Sequence, residues 1–429
     1  MSSRYIQSEA LLERALRVIP LGTQTFSKSR TQYPLGVSPY FAKRAQGSHL
    51  WDVDGNEYLD FINSLCAVTL GYNDPDVTAA VQAQLADGII FSLPHPIEIE
   101  VAEKIVEMVP CAEAVRFGKN GSDATAGAIR IARAFTGRDH VAACGYHGWQ
   151  DWYIGATTRN LGIPASTSAL THLFTYNDLE SLNKIFRDYP DQVAAVILEP
   201  MNVTAPANNF LHEVQQLCRK NGAVLVFDET ITGFRYSNGG AQELFGVTPD
   251  LATFGKGLAN GYPVSAVAGR ADIMKLMEEV FFSFTFGGET LSLAASLATM
   301  QKLQREPVIA TMTVTGEAIQ TGLRETIAHH GAGHILGVAG HPTWSFLTIQ
   351  DAGGYAAWEI KSLYLQEMFA RGVLSLATHN ISYAHSSADV TRLLAVYGEV
   401  IPILCDAVGN HHMKELLRCE PLKPLFKVR

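Results

Sequence analysis

Short, continuously apolar runs that alternate with helix-length segments constrain the fold of this chain more than any other feature. The runs occupy the middle of the sequence, at residues 114–117, 140–144, 193–198, 223–227, 251–254 and 264–268. Helical patterns such as Ala124–Phe135 and Phe210–Lys220 separate several of them. A strand that is apolar on both faces must be buried on both faces, which is typical of parallel sheets covered by helices. The pattern therefore predicts an α/β fold with a mostly parallel central sheet.

The two ends of the chain carry a different pattern. Ser48–Phe61 predicts a hairpin, and the long helix predicted at Leu291–Gln304 leads into mixed helix and strand signals. A chain of 429 residues is also longer than one ordinary hydrophobic core supports. We predict a large central domain and a smaller α+β domain that both termini build, with boundaries at 1–65, 66–310 and 311–429.

Composition excludes several classes of protein. The net charge of −9 disfavours a general nucleic-acid binder, which needs a basic surface to neutralise phosphates. The chain contains no apolar run of the roughly 18 residues that a membrane span requires, and its N-terminus lacks a secretory signal pattern. Its six cysteines are scattered without a CxxC pair, which indicates a reducing compartment rather than a disulfide framework or a zinc site. We expect a cytoplasmic protein with no membrane or nucleic-acid partner and no metal.

Chemically active residue types follow the predicted strands at their carboxyl ends, where parallel sheets bind ligands. The loop 118–123 feeds a helix N-terminus, whose free N–H groups and dipole suit a phosphate, although Ser122 also fits the role of a simple helix cap. Tyr146 follows the next strand and suits either a stacked flat ligand or core packing. His147 beside it is also typical of a buried, hydrogen-bonded histidine.

Carboxylates end two further strands, at Glu199 and at Asp228-Glu229. A carboxylate after a buried strand is costly unless it is paired or lies in a cleft, so two such ends predict a shared cleft. An ion pair with Arg235 is an alternative explanation for Glu229.

Lys256 lies between two glycines directly after the 251–254 strand. Desolvation lowers the pKa of a buried lysine, which makes it an imine-forming nucleophile. A phosphate-binding lysine of a nucleotide site is the alternative, but the P-loop spacing is absent, since Gly257 follows Lys256.

Together these residues meet the requirements of pyridoxal phosphate (PLP). This cofactor needs a lysine for its imine, an acid that keeps its ring nitrogen protonated, an anion cradle and an aromatic face. Lys256 and Asp228 supply the first two, and the combination is far more specific than any single residue. The sequence therefore predicts PLP as the cofactor.

Several long motifs resemble the class III aminotransferases, in particular the glutamate-1-semialdehyde 2,1-aminomutase-like branch. They are GKNGSDATAGAIRIARAFTGRD, YHGWQDW, ILEP, VFDETITGFR, TFGKGLANGYPVSAVAGR and FTFGGETLSLAA. The resemblance spans nearly the whole chain, from Ile19-Pro20 to Ala384–Ser386. It implies PLP-dependent transferase fold type I, with a seven-stranded large domain, and a homodimer with shared active sites. It also implies transfer of an amino group between a small-molecule amino donor and a carbonyl acceptor.

The resemblance also implies roles for individual residues. Lys256 would form the imine and move the proton, and Asp228 would pair with the ring nitrogen. Other positions would hold the cofactor: Gly121 and Ser122 its phosphate, Tyr146 and Ile231 the two faces of its ring, Glu199 and Asn202 its surroundings, and Thr285 the phosphate of the other subunit.

Departures from the aminomutase pattern concern the substrate. Lys28 stands where the aminomutases carry an arginine that binds the substrate carboxylate, and lysine lacks the bidentate fork. Ala377 stands near their glutamate, and Trp149 and Trp152 follow the Tyr146–Gly148 motif. With Lys28 and Trp149 as substrate-binding residues, we expect a sugar-like intermediate of surface-polysaccharide or amino-sugar biosynthesis. An aminomutase or epimerase is the first alternative, and a non-enzymatic regulator that kept the fold is the second.

Overall fold

The computed structural model describes residues 4–424, which divide into two compact units. The terminal unit comprises the described residues up to Cys66, then Leu70–Asp74, and the described residues from Ala310 onward. The central unit comprises Ala67–Thr69 and Pro75–Ile309. Between residues 4 and 424, no helix combines the length and apolar character needed to cross a membrane.

In the described residues 4–424, fourteen strands form three sheets. In chain order they are β1 (Ala42–Gln46), β2 (His49–Asp52), β3 (Glu57–Asp60), β4 (Ala114–Gly118), β5 (His140–Cys144), β6 (Thr171–Leu173), β7 (Val193–Leu198), β8 (Val224–Asp228), β9 (Leu251–Phe254), β10 (Ser265–Gly269), β11 (Leu336–His341), β12 (Trp344–Ile349), β13 (Val373–Leu374) and β14 (Thr378–Asn380).

The helices range from single turns to 23 residues. They are α1 (Ile6–Leu16), α2 (Asn63–Cys66), α3 (Pro75–Asp87), α4 (Pro96–Met108), α5 (Gly121–Thr136), α6 (Asp151–Ile154), α7 (Ala165–Ser168), α8 (Leu179–Asp188), α9 (Phe210–Asn221), α10 (Ala241–Phe245), α11 (Ala271–Met274), α12 (Thr290–Arg305), α13 (Val308–His329), α14 (Ala357–Ala370), α15 (Ser387–Gly409) and α16 (Met413–Leu416).

The central unit is built on a seven-stranded sheet with the order β4-β10-β9-β8-β7-β5-β6. Neighbours from β9 through β6 pair in parallel, and only β10 runs antiparallel to both of its neighbours. The reason is local, because residues 255–264 between β9 and β10 are too few for a parallel crossover. The predicted mostly parallel α/β sheet of fold type I is confirmed.

Helices cover both faces of this sheet, as the apolar strands predict. On one face α5 contributes Ile129 and Ile131 to a core cluster that includes Val141 and Val226. On the other, α8 and α9 contribute to a second core cluster that includes Val196. All six residues of β7 are buried. With both faces covered, the rim at the strand ends is where polar side chains remain accessible.

The terminal unit combines two small sheets with helices from both ends of the chain. One sheet has the order β1-β2-β3-β13 and the other β11-β12-β14. β2 and β3 pair antiparallel, which confirms the predicted hairpin. The smaller α+β domain predicted from both termini is therefore also confirmed.

A left-handed turn follows this hairpin. All four residues of α2 have positive φ, between 44° and 67°. Such residues each cost roughly 1–2 kcal/mol in this conformation, so the turn needs support. Asp60 supplies it, because its Oδ1 accepts hydrogen bonds from the N–H groups of Ile62 at 2.7 Å and Asn63 at 3.1 Å.

Candidate active site

A cavity of about 310 Å³ in the central unit lies where five strands end. The strands β4, β5, β7, β8 and β9 each lead into a segment that contributes to its wall. Of the residues predicted to act in catalysis or to bind cofactor or substrate, seven line this cavity: Gly121, Ser122, Tyr146, Glu199, Asp228, Ile231 and Lys256.

The anion cradle lies at the start of α5. Gly121 begins this helix of 16 residues, so its first N–H groups and the positive end of its dipole lie at the cavity wall. Ser122 Oγ accepts a hydrogen bond from the N–H of Trp149 at 3.3 Å. The hydroxyl proton of Ser122 is therefore directed elsewhere and can be donated to an anion.

Gly148 closes the cradle from the other side. Its φ is +99°, and an added Cβ would lie 2.2 Å from Ser122 Oγ and 3.0 Å from Ser122 Cα. We expect Gly148→Ala to displace Ser122 and to weaken PLP binding to the apo-protein at least about tenfold, since a misplaced charge-assisted hydrogen bond loses about 1.5 kcal/mol or more. Fluorescence titration of the apo-protein with PLP measures this.

Gly137→Ala is the matched control for this change. Gly137 also has positive φ, at 67°, but a Cβ there would meet nothing within 4 Å. Both substitutions impose backbone strain, and only one touches the cradle. Equal PLP affinities for the two variants would show that Ser122 is not held by Gly148.

Lys256 occupies a strained position at the cavity. It starts the 3-10 turn Lys256–Ala259 with a φ of 43°, in the left-handed region. Strain of this kind persists where surrounding structure enforces it, and it concentrates at functional sites. Gly257 is part of that enforcement, because a Cβ there would lie 2.6 Å from Thr69 Oγ1. The backbone thus directs the half-buried Lys256 to the cavity.

Asp228 ends β8 and is 5 % exposed. Its Oδ1 accepts hydrogen bonds from Thr230 Oγ1 at 2.6 Å, Thr230 N at 3.1 Å and Thr253 Oγ1 at 3.1 Å. Its Oδ2 lies 2.8 Å from His147 Nδ1. Burial raises the pKa of Asp228, but the contact with His147 and the Thr230 hydrogen bonds outweigh it and hold that pKa below its usual value. The carboxylate is therefore ionised at neutral pH.

Glu199 has the opposite electrostatic character. Burial, and secondly the nearby charge of Asp228, raise the pKa of Glu199. Its carboxyl group accepts hydrogen bonds from the N–H of Tyr146 at 3.0 Å and from Asn202 Nδ2 at 3.2 Å. Asn202 reaches the site through Glu199 and is not among the residues that line the cavity.

Glu229, in contrast, has a structural role. Its carboxyl group is fully buried and accepts hydrogen bonds from Thr232 Oγ1 and from the N–H groups of Ala241 and Gln242, at 2.6–3.0 Å. It therefore caps the N-terminus of α10. Asp228 and Glu199 therefore line the predicted cleft, but Glu229 does not.

Three predicted site residues lie elsewhere. Thr285 is exposed and does not line the cavity. Trp149 is 64 % exposed and contributes its backbone N–H to Ser122. Lys28 belongs to the terminal unit, where its Nζ is 3.3 Å from Ser64 Oγ and it lines a cavity of about 480 Å³ together with Tyr33, Asp60 and Tyr72.

Some residues of the site escaped the sequence analysis. Thr230 follows Asp228 by two residues, and at this spacing an aspartate carboxylate can accept hydrogen bonds from the backbone and side chain of a turn. This spacing was visible in the sequence and could have identified Thr230. Thr253 is paired with Asp228 only by the register of β8 and β9. Lys119 also lines the cavity, and its Nζ is 3.0 Å from Glu289 Oε2.

The residues that are present fit PLP. The cavity wall offers a lysine amine, an ionised buried carboxylate, an anion cradle and the ring of Tyr146, and a Cβ at Gly148 would fill the cradle. Fold and site together define a PLP-dependent enzyme of fold type I. The comparison with protein families makes this specific: the aminotransferase class-III model matches residues 32–354, and the chain belongs to that family.

Individual relatives agree with the family. Glutamate-1-semialdehyde 2,1-aminomutase of Desulforapulum autotrophicum is 38% identical over 356 residues, which cover 78% of this chain and 83% of the relative. The enzyme with the same name from Syntrophobacter fumaroxidans is 36% identical over 420 residues, 91% of this chain and 96% of the relative. The chain is thus a PLP-dependent class III aminotransferase, whose substrates are a small-molecule amino donor and an acceptor.

Solved structures confirm the fold over nearly the full length. The FumI protein of Sphingopyxis sp. MTA144, in its PLP internal aldimine form, superimposes with a TM-score of 0.88 at 29% identity, covering 97% of this chain and 99% of that protein. An omega-transaminase from Sphaerobacter thermophilus gives a TM-score of 0.83 at 28% identity, covering 92% and 97%.

Proposed function

We propose that this enzyme transfers an amino group between an amino donor and a separate carbonyl substrate. The observation that carries the proposal is the single cavity that Lys256 and Asp228 line together with the anion cradle. When bound, PLP supplies an electron sink for the carbanion formed at the substrate carbon.

The residues of the chain have distinct tasks in this proposal. Lys256 Nζ accepts the proton from the substrate carbon and donates it back later in the reaction. It thus acts first as a positioned general base and then as a general acid. Asp228 holds a proton at the ring nitrogen, because its charge favours the protonated ring. Gly121 and Ser122 bind the phosphate, Tyr146 and Ile231 enclose the ring, and Glu199 with Asn202 fixes the backbone at Tyr146.

The substrate that we propose is a polar, sugar-like carbonyl compound, with Lys28 and Trp149 among its binding residues. Lys28 shares its cavity with the buried carboxylate of Asp60, which also accepts a hydrogen bond from Tyr72 at 2.7 Å. A lysine whose charge is partly offset in this way is a weaker carboxylate receptor than an arginine fork. Trp149 offers an exposed ring that suits a sugar face.

We also propose a homodimer in which Thr285 contacts the phosphate of the partner's site. Thr285 is exposed between the exposed side chains of Phe281 and Phe286, which are 84 % and 57 % accessible in the single chain. Large apolar side chains that remain in water favour association. Within residues 4–424 the six cysteines are thiols rather than disulfides, which supports our proposal that the enzyme works in the cytoplasm.

The second candidate function is the intramolecular amino shift of an aminomutase, and the names of the curated relatives favour it. The two functions differ in their need for an acceptor. A transaminase stops after one amino group per active site unless a 2-oxo acid or another carbonyl compound regenerates the cofactor. An aminomutase continues without one.

We therefore expect a burst of about one product per site, with further turnover only after a carbonyl acceptor is added. A panel of amino donors is mixed with the PLP form, and absorbance and product are followed with and without the acceptor. Glutamate-1-semialdehyde is included in the panel. Sustained turnover of this compound without any acceptor would overturn the transaminase proposal in favour of the aminomutase.

A further inference from the structure

Lys119 is a cavity-lining cation to which the proposed function assigns no role. It is the first residue after β4, and its side chain is 17 % exposed. Its Nζ lies 3.0 Å from Glu289 Oε2 and 3.5 Å from Ser292 Oγ. Among the described residues that line the cavity, Lys256 is the only other lysine, and there is no arginine. Since the proposed reaction uses Lys256, Lys119 is the lysine of the cavity wall that it leaves unused.

Glu289 holds Lys119 but does not depend on it for stabilisation. Glu289 caps α12, because its Oε1 accepts a hydrogen bond from the N–H of Leu291 at 2.8 Å, and its Oε2 accepts from Ser292 N at 3.2 Å and Ser292 Oγ at 2.5 Å. Burial raises the pKa of Glu289, but the hydrogen bonds from Ser292 and Lys119 outweigh it and hold that pKa below its usual value. The helix N-terminus also favours this carboxylate. The ammonium of Lys119 can therefore stabilise a second anion as well.

The anion cradle beside Lys119 has less positive charge than a helix N-terminus alone provides. Asp123 Oδ2 accepts hydrogen bonds from the N–H groups of Lys119 at 3.2 Å and Asn120 at 2.7 Å. Two backbone donors are thus already engaged, and the charge of Asp123 offsets part of the dipole of α5. A phosphate ester carries a charge of about −1.5 to −2 at neutral pH. The cradle therefore needs a further cation to bind the doubly charged form.

The other ionisable groups of the cavity do not supply this cation. His147 Nδ1 lies 2.8 Å from Asp228 Oδ2, so any charge on this ring is paired with a carboxylate. Burial raises the pKa of Glu199, and a carboxyl group never becomes a cation. The amine of Lys256 forms the imine in the proposed reaction. Lys119 is left as the cation of the wall that can serve the phosphate.

We propose that Lys119 is a further cofactor-binding residue, whose ammonium offsets the second negative charge of the PLP phosphate while Glu289 holds it at the cavity wall. This inference rests on the proposed function, which places the phosphate at Gly121 and Ser122. A nearby cation lowers the second pKa of a phosphate ester, which is about 6 in water. With Lys119 the phosphate stays doubly charged as pH falls through that value, and without Lys119 it takes up a proton.

Lys119→Gln tests this, because the amide can still donate to Glu289 but carries no charge. Apo-protein is titrated with PLP and with pyridoxal, which lacks the phosphate. Relative to wild type, we expect PLP affinity about tenfold weaker, the loss of one charge-assisted contact, and pyridoxal affinity within about twofold. The phosphorus NMR signal of bound PLP, followed from about pH 8 to about pH 5.5, is expected to stay constant in wild type and to shift in the variant.

Three further variants separate charge from packing. Lys119→Arg restores the cation and is expected to restore a phosphorus signal that does not change with pH. Glu289→Gln keeps an acceptor for Lys119 but removes the competing charge, so we expect PLP binding about threefold tighter than in wild type. Lys104→Gln is the matched control, because Lys104 is also ion-paired, with Glu107 at 2.5 Å, and does not line the cavity. It should bind PLP as wild type does.

Equal losses of PLP and pyridoxal affinity in Lys119→Gln, or a phosphorus signal that is independent of pH in that variant, would show that Lys119 serves only packing. Weaker PLP binding in Glu289→Gln would also overturn the proposal, since the ion pair itself would then support the cradle. This second variant decides the question if Lys119→Gln does not fold. Failure of wild type to bind PLP at all would instead overturn the proposed function.

Discussion

Replacing Lys256 by alanine is expected to lower the rate of amino transfer by about 10⁴-fold, the upper end of what a general acid–base group contributes. The methyl group of alanine can neither form the imine nor move the proton at the substrate carbon. The turn Lys256–Ala259 contains no second lysine that could take this place. Single-turnover absorbance changes with an amino donor measure the effect directly.

Two controls separate this role from a loss of charge or of folding. Lys256→Arg keeps a cation and should be as inactive as the alanine variant, because a guanidinium does not form an imine at neutral pH. Exposed Lys275→Ala should keep wild-type activity. Borohydride should attach the cofactor to wild type only at Lys256. A Lys256→Ala enzyme that transaminates at the wild-type rate would contradict the assignment of this lysine.

Asp228→Asn is expected to reduce turnover by about 10²- to 10³-fold, the usual cost of removing one preorganised charge from a dry site. The amide has no charge to favour a protonated ring. Its NH₂ group must also take the place of an oxygen that either accepts from Thr230 and Thr253 or lies 2.8 Å from His147 Nδ1, so the hydrogen bonds around this side chain must rearrange. Steady-state kcat and the affinity for PLP are the measurements.

The carbon analogue of PLP sharpens this experiment, since it has no ring nitrogen for Asp228 to pair with. Its affinity should fall much less in Asp228→Asn than the affinity for PLP. Asp139→Asn, at an exposed position of the same unit, provides the matched change of charge. If Asp228→Asn retained full kcat with PLP, Asp228 would not be the partner of the ring nitrogen.

Much of the site could be predicted from the residues that follow the apolar runs in the sequence. Tyr146, Glu199, Asp228 and Lys256 each follow an apolar run, and parallel strands bring their carboxyl ends to one edge of a sheet. Thr253 could not be predicted, because its contact with Asp228 depends on how β8 and β9 align. β10 runs antiparallel because the segment that connects it to β9 is short. A short connection is a weaker signal in a sequence than an apolar run.

Residue type alone did not distinguish the roles of some carboxylates that follow buried strands. Glu199 and Glu229 both follow buried strands, yet one lines the cavity and the other caps α10. Successive residues at a strand end point in different directions, so the identity of Asp228-Glu229 does not show which carboxylate enters the cleft. His147 was compatible with a structural role, and only its distances to Cys144 and Asp228 reveal what it bonds.

The chain's own order of residues determined the layered α/β fold, the edge of the sheet that carries chemistry, and the cofactor. These follow from local periodicity and from residue types that have few alternative uses when buried. Only the tertiary structure decided the protonation of the site. The charge of a carboxylate depends on burial and on partners that are distant in sequence, such as His147 and Thr253 for Asp228, and these meet only when the strands have paired.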